Sequence, residues 1–266
     1  MDRGGCRMSG GGGGGMISLE DLESMSEDPL SDGLEEDREE EEEDREEEEE
    51  QGRLLQYWTD VARGHQVEVP RDMAEPIHQI TTNNDGTHTR EQVPHTLITR
   101  KEKCGELAYE KRHYEKAHWA CITVHEDTYE QSICYGFMKI MRFICQQNTA
   151  GSYLGMTIPI VTVVRTDEMQ STLDRAVTVA YYLPAQHQTD PPRPHDPEIR
   201  IELWPATIVY TRAFSGATNE LSIINEVRRL AEALDRPAVC ESFIVAGYTN
   251  PAAANRHNEI WFLERP

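Results

Sequence analysis

The chain of 266 residues is long enough for one ordinary domain with an extension, or for two small domains, because a domain usually holds roughly 100 to 200 residues. Its 48 acidic and 26 basic residues give a formal charge of −22, which argues against a general nucleic-acid binder, since neutralising phosphates needs a clustered Lys and Arg surface. No run approaches the ~18 apolar residues of a membrane-spanning helix and the N-terminus lacks the apolar core of a signal peptide, so we predict a soluble cytoplasmic protein that binds neither nucleic acid nor membrane.

The negative charge is concentrated at the N-terminus. Residues 1–50 hold 21 acidic and 4 basic residues, and residues 35–50 contain fourteen acids and two arginines. Such a segment repels itself and buries no apolar surface. We therefore predict a disordered Gly-rich and acidic tail over residues 1–52. It either serves as a solvating extension or recruits a protein partner.

The next segment differs in composition. Residues 53–62 place Leu54, Tyr57, Trp58 and Val61 on one helical face, which predicts a docking helix. Residues 67–99 are interrupted by prolines and by an Asn-Asn-Asp-Gly sequence, which is typical of loops. We therefore predict a docking helix and loop-rich arm over residues 53–99, followed by a compact domain over residues 100–266.

Regular elements follow in this domain. β-branched and aromatic runs predict strands, and apolar residues at helical spacing predict two helices. In chain order these are strands 107–112 and 119–124, helix 128–147, strands 157–165 and 176–183, strands 199–203 and 207–213, helix 219–234, and strands 242–247 and 259–263. A similar order of strands and helix occurs twice at an offset of roughly 90 residues, which favours an α+β domain in which a twisted antiparallel sheet or barrel carries both helices outside.

The first helix carries two apolar stripes. Ile133, Phe137, Ile140 and Ile144 form the expected core face, and a second stripe is made by the residues Cys134, Met138, Met141 and Cys145, with Arg142 at its edge. Together they span an apolar arc of about 160°, which is wider than one sheet contact requires. Either the helix is buried on two sides, or the soft sulfur-containing side chains line a groove for a flat apolar ligand whose carboxylate meets the cation of Arg142.

Few other residues indicate chemistry. His113 ends a predicted strand beside a turn, from which a neutral imidazole could reach a metal. The six cysteines form no CxxC pair, which excludes a zinc ribbon by spacing. The sequence contains no GxSxG, P-loop or strand-linked GxGxxG motif, so nothing supports an enzyme.

Four distinctive blocks follow one another along the domain. They are the segments Leu-Gly-Met-Thr-Ile-Pro-Ile at 154–160, Leu-Pro at 183–184 with Gln-Thr-Asp-Pro-Pro-Arg-Pro at 188–194, Ala-Gly-Tyr-Thr-Asn-Pro at 246–251 and Arg-His-Asn-Glu-Ile-Trp-Phe-Leu at 256–263. In this order they resemble the SOUL haem-binding protein family, and the resemblance covers about residues 104–264. It implies a distorted antiparallel β-barrel of two pseudo-symmetric halves with two flanking helices, and a protein that binds haem or a related tetrapyrrole without a covalent bond.

The resemblance also suggests site residues. The segment around His113 is similar to one in which some family members place an axial haem ligand, so His113 is the candidate metal ligand. On the first helix the family's haem groove corresponds to Cys134, Phe137 and Arg142, to which the sulfur-containing stripe adds Met138 and Met141. We expect haem to be the cofactor, not required for folding, and to serve carriage, buffering or sensing. The alternatives are a protein-interaction module with a vestigial pocket and an acidic recruiting tail and, less supported, an enzyme acting on a tetrapyrrole.

Overall fold

The computed structural model of the protein describes most of the predicted domain. The described residues are 90–103, 105–166, 172–235, 242–249 and 255–264, together with Gly52, Arg53, Gln56, Thr59, Asp60, Arg63, Met73 and Pro76. Residues 1–51 of the predicted tail lie outside them, as do the four residues of the predicted docking face. The division of the chain into tail, arm and domain stays a prediction.

The described residues contain eleven strands and two long helices. The strands are β1 Glu91–Gln92, β2 His95–Lys103, β3 Glu106–Tyr114, β4 Ala117–His125, β5 Thr157–Ile158, β6 Ile160–Arg165, β7 Ala176–Tyr182, β8 Arg200–Trp204, β9 Thr207–Ser215, β10 Ser242–Gly247 and β11 His257–Leu263. The helices are α1 Tyr129–Cys145 and α2 Glu220–Ala233, and a short 3-10 helix spans Ala185–His187. Each strand and helix expected between residues 107 and 263 is present within a few residues of its expected bounds.

Strand β2 begins in the segment 67–99, for which the sequence indicated loops, and continues into the predicted domain. All nine of its residues are exposed. Its sequence also lacks the alternation of apolar and polar residues that predicts a strand. It forms because its backbone pairs antiparallel with β3, with His95 opposite Tyr114 and Lys103 opposite Glu106. The extended conformation of such an edge strand depends on pairing with the neighbouring strand and not on its own composition.

Nine strands form one curled antiparallel sheet in the order β2-β3-β9-β11-β10-β6-β7-β4-β8, and β1 pairs separately with β5. The sheet curls into a half-barrel with both helices on its outer face: α1 packs on β4 and β7, and α2 packs on β3, β9 and β11. The α+β distorted barrel expected from the sequence is confirmed. None of the described helices is long and apolar enough to cross a bilayer.

Local signals determine where the helices begin. Thr128 caps α1 by accepting a hydrogen bond from the amide of Gln131, whose side chain accepts one from the Thr128 amide. Asn219 and Ser222 form the equivalent pair at α2. These reciprocal capping bonds satisfy amides that the first helical turn leaves without partners.

Strand alternation separates the two faces of the sheet. In β4, Ala120 and Ile122 belong to the cluster beneath α1, whereas Trp119 and Cys121 belong to the cluster on the concave face. In β11, Trp261 faces the concave side, while its neighbour Ile260 packs with α2. Every second residue along a strand therefore points into the half-barrel.

Candidate functional site

Helix α1 contacts the sheet through one face. Ile140, Phe143 and Ile144 are fully buried in a cluster with residues of β4 and β7. The helix lies so close that a Cβ added at Gly136 would be 2.6 Å from Cγ2 of Val179. Ile133, expected in the same stripe, is only half-buried and packs against the cluster of α2.

The second stripe of α1 forms a separate cluster, which we call the sulfur-rich face. It comprises Cys134, Phe137, Met138, Met141 and Cys145. All five side chains are buried, with Phe137 the most accessible at 9 %. Phe137 therefore belongs with the sulfur-containing residues and not with the sheet-facing stripe where the sequence placed it. The partly buried residues around this cluster are Tyr135, Tyr153, Met156 and Ile160.

Part of the predicted arm covers this face. Met73 is only 1 % exposed and lies in the same cluster as the five α1 residues. The Cys145 thiol donates a hydrogen bond to the carbonyl oxygen of Pro76 at 3.3 Å. Sequence periodicity could not reveal this contact, because Met73 lies more than fifty positions before the helix it touches. The second face of α1 is thus apolar and covered by the chain itself.

Helix α1 also carries two basic residues, Arg142 and Lys139, and the titratable thiol of Cys134. Arg142 is half-buried in the last turn of α1. Lys139 forms ion pairs with Asp196 and Glu198. Burial raises the pKa of the Cys134 thiol to about 11, so at neutral pH this side chain is a neutral thiol and not a thiolate.

His113 lies elsewhere on the sheet. It is on β3, with its side chain 35 % exposed and Nδ1 3.5 Å from Oε1 of Glu115. It shares a face of β3 with Tyr109, which packs against the α2 cluster. Within the described ranges, no hydrogen bond or ring contact joins His113 to the sulfur-rich face of α1, so the structure does not bring these candidates together.

No metal cluster accompanies His113: no group of three or more His, Cys, Asp or Glu side chains that could hold a metal occurs in the part of the chain that the structure describes. His118, its neighbour in sequence, has a structural contact, since its Nδ1 lies 2.9 Å from the carbonyl oxygen of Gln188. The Gln188 side chain in turn accepts from the His118 amide and donates to the Leu183 carbonyl. Gln188, the first residue of the block at 188–194, therefore has a structural role, because its side chain holds the backbone at His118 and Leu183.

A second candidate surface lies on the concave side of the sheet, and sequence analysis missed it. We call it the aromatic cleft; its cavity has a volume of about 70 Å³. Its lining residues come from seven strands and the adjoining turns: Val93, Pro94, Tyr114, Glu115, Lys116, Ala117, Trp119, Tyr182, Trp204, Pro205, Thr207, Val209, Ile244, Trp261 and Leu263. Inward-pointing aromatic residues at alternate strand positions were the signal available in the sequence.

Aromatic contacts organise the walls of the cleft. The rings of Trp119 and Trp204 are stacked, with centroids 4.7 Å apart and planes at 20°. Trp119 also meets Tyr182 edge-on at 5.4 Å. On another part of the wall, the rings of Tyr114 and Trp261 lie 4.8 Å apart.

A buried charged network lies behind Tyr114 and Trp261. Arg112 donates two hydrogen bonds to the carboxylate of Glu259, at 2.9 and 2.8 Å, and a third to Glu110 at 2.8 Å. The Trp261 indole NH donates to Glu259 at 2.7 Å. Burial alone would raise the pKa of Glu110, but hydrogen bonds from Arg112 and Arg100 outweigh it and lower that pKa.

Comparison with known proteins places this architecture in a family. The SOUL heme-binding protein model matches residues 90–263. The chain is 29 % identical to "Heme-binding protein 2" of Homo sapiens over 59 % of its own length and 78 % of that protein. It is 28 % identical to "Heme-binding protein 1" of Xenopus laevis over 63 % and 89 %. The EcmrR C-terminal domain aligns with a TM-score of 0.38 at 13 % identity, covering 59 % of this chain and 98 % of that one. With its domain matched from β1 to β11, the chain belongs to the SOUL haem-binding protein family.

Proposed function

We propose that the chain binds haem or a related tetrapyrrole non-covalently and holds it on the sulfur-rich face of α1. The observation that carries this proposal is the family match over residues 90–263, with relatives that are themselves named as haem-binding proteins. Carriage, buffering or sensing of the tetrapyrrole is the role we infer. The described cysteines Cys121, Cys134 and Cys145 form no disulfide, which supports our proposal of a reducing compartment such as the cytosol.

The residues of the sulfur-rich face suit such a ligand. Haem is a large apolar disc with two carboxylates, so a non-covalent site needs a flat apolar wall and a cation at its rim. Phe137, Met138 and Met141 supply a polarizable apolar wall, and Arg142 supplies a cation at its edge. When bound, haem would supply an iron centre open to redox change or to a further ligand.

Binding at this face requires the arm to move. Met73 belongs to the same buried cluster as the five residues of the wall, so the disc and the Met73 side chain cannot occupy the same surface together. The apparent affinity is then the intrinsic affinity reduced by the fraction of molecules in which Met73 has left. The covering contact therefore acts as an internal competitor of the ligand.

Truncating this cover should strengthen haem binding. Replacing Met73 by Ala removes about 1.5–3 kcal/mol of apolar burial, and we expect the apparent affinity of the full chain for haem to rise by about 10- to 100-fold. Absorbance titration at the Soret band measures this change. Met156→Ala is the matched control, because it shortens a methionine that borders the wall and should lower affinity. If Met73→Ala lowers affinity as well, Met73 is a ligand contact and not a cover.

The axial role of His113 stays a prediction with a spectroscopic test. If His113 supplies a nitrogen to the iron, His113→Ala should shift the Soret maximum and change the spin state, since an axial ligand sets the electronic state of the iron. Affinity should fall only moderately, because apolar burial supplies most of the binding energy. An unchanged spectrum with retained binding would leave the α1 wall as the whole site.

The proposed function itself is tested by titrating the full chain with haem. Saturable binding with a shifted Soret band at micromolar haem is the expected result. No saturable binding to either the full chain or Met73→Ala would favour the rival class, a protein-interaction module. The tail of fourteen acids and two arginines over residues 35–50 is the feature that would serve that role.

A further inference from the structure

We propose that the outer edge of strand β2 is a docking site for an extended segment of another protein, which adds to the sheet as a further strand. Strand β2 is the first in the order of the nine-stranded sheet, so among the described strands it pairs only with β3. Within the described ranges, no other residue hydrogen-bonds to its backbone. Helix α1 packs on β4 and β7, so this edge is a different surface from the sulfur-rich face, and each proposal can fail without the other.

Strand β2 is long and accessible enough to bind a peptide. Its nine residues span roughly 30 Å at the usual rise per residue, and all of them are exposed. The amide and carbonyl groups along an unpaired strand edge form a template for a further strand. In this mode of recognition the main-chain hydrogen bonds supply affinity, and the side chains select the sequence of the partner.

The opposite edge of the sheet is less suited to this role. Strand β8 has only five residues, and two of them already have contacts within the domain. Ile201 packs against the cluster beneath α1, and Trp204 stacks on Trp119. Strand β2 is longer, and its side chains Leu97 and Ile98 are exposed. A partner strand that covered these two residues would remove apolar surface from water.

The second half of β2 is basic. Lys101 and Lys103 form no ion pair among the described residues, whereas Arg100 forms one with Glu110 at 2.6 Å. Glu102 is the single acid of the strand, and it lies between the two lysines in the sequence. An acidic segment along this edge would bring carboxylates beside both ammonium groups, and a basic segment would be repelled.

A partner of mixed composition fits this edge better than a second copy of the chain. Lysines and β-bulges on an edge strand oppose its pairing with an identical edge, and β2 has both, with two register shifts against β3. The occupant must therefore place β-branched residues beside Leu97 and Ile98 and acidic residues beside the lysines. The chain's own acidic run at residues 35–50 contains no apolar residue, so it lacks the apolar half of this pattern.

A fluorescein-labelled peptide amide of sequence Glu-Thr-Glu-Thr-Val-Thr-Val-Thr tests the proposal on the full chain by fluorescence anisotropy. In an antiparallel pairing its acids lie beside the lysines of β2. We expect saturable binding at micromolar peptide and slower hydrogen exchange of the β2 amides. The double variant Lys101→Glu with Lys103→Glu should weaken binding by about tenfold, because two favourable charge pairs become repulsive.

N-methylation of the peptide tests whether the backbone pairs. Alternate amides of an added strand point toward β2, and the others point away from it. Two peptides are therefore compared, each N-methylated at one of the two alternate sets of residues. One of them should bind like the original peptide, and the other should not bind, because its donors to β2 are blocked.

Matched controls separate strand addition from general charge attraction. Arg193→Glu with Arg200→Glu makes the same change of net charge at exposed positions outside β2 and should leave peptide affinity within about twofold. Circular dichroism establishes that each variant is folded, and haem titration of the lysine variant should be unchanged. Absence of saturable peptide binding, equal weakening by both double variants, or equal binding of the two N-methylated peptides would each overturn the assignment of this docking site.

Discussion

Glu259→Gln is expected to lower the free energy of unfolding by about 3–5 kcal/mol. The side chain of Glu259 is 4 % exposed and accepts hydrogen bonds from Arg112, Tyr248 and Trp261. Removing its charge leaves the guanidinium of Arg112 buried with Glu110 as its remaining carboxylate. A buried charge deprived of one partner costs far more than an exposed ion pair contributes. Unfolding in urea measures the effect.

Glu264→Gln is the matched control. Glu264 also forms an ion pair, since its carboxylate lies 2.9 Å from the ammonium group of Lys111, but the Glu264 side chain is 30 % exposed. Its loss should therefore cost no more than about 1 kcal/mol. Adding Arg112→Met to Glu259→Gln should recover part of the lost stability, because the buried cation that lost its Glu259 partner is then gone. Equal losses in the two single variants would mean that the Arg112–Glu259 pair is not the dominant polar interaction of the concave face.

Arg142→Glu is expected to weaken haem binding by about 1–3 kcal/mol, the scale of a charge-assisted contact. That corresponds to roughly 5- to 150-fold in affinity. Arg142 lies half-buried at the edge of the sulfur-rich face, where a haem carboxylate would meet its guanidinium. The replacement puts a like charge beside that carboxylate. Soret titration of the full-length variant measures the change.

Arg200→Glu makes the same change of charge at an exposed position at the start of β8. It should leave haem affinity within about twofold of the original chain, since screening limits the reach of exposed charges. Equal weakening by both variants would indicate a general effect of net charge. Unchanged affinity in folded Arg142→Glu would remove this residue from the rim of the site.

The elements of the domain could be predicted from the sequence because their signals are local. Thr128 and Gln131 mark the start of α1 within four residues, and the β-branched run of β6 identifies a strand without knowledge of its partners. The two apolar stripes of α1 were likewise readable at a spacing of three and four residues. Repetition of these local patterns was enough to predict an α+β domain with helices outside a curled sheet.

Tertiary structure decided what the local patterns could not. Strand β2 is exposed along its whole length and exists through its pairing with β3. Met73 covers α1 from a distant part of the chain. Neither contact is predicted by the sequences of the two segments that it joins.

The concave face of the sheet likewise depends on contacts that local sequence patterns do not predict. The pair of Arg112 and Glu259 joins residues 147 positions apart, and the aromatic cleft forms only when the sheet curls its two ends toward each other. The sequence by itself determined which segments are strands and helices, because backbone preference and side-chain periodicity act over a few residues. Which faces are covered, and which surround a cleft, depends on strand order and curvature, and these arise from contacts between residues far apart in the chain.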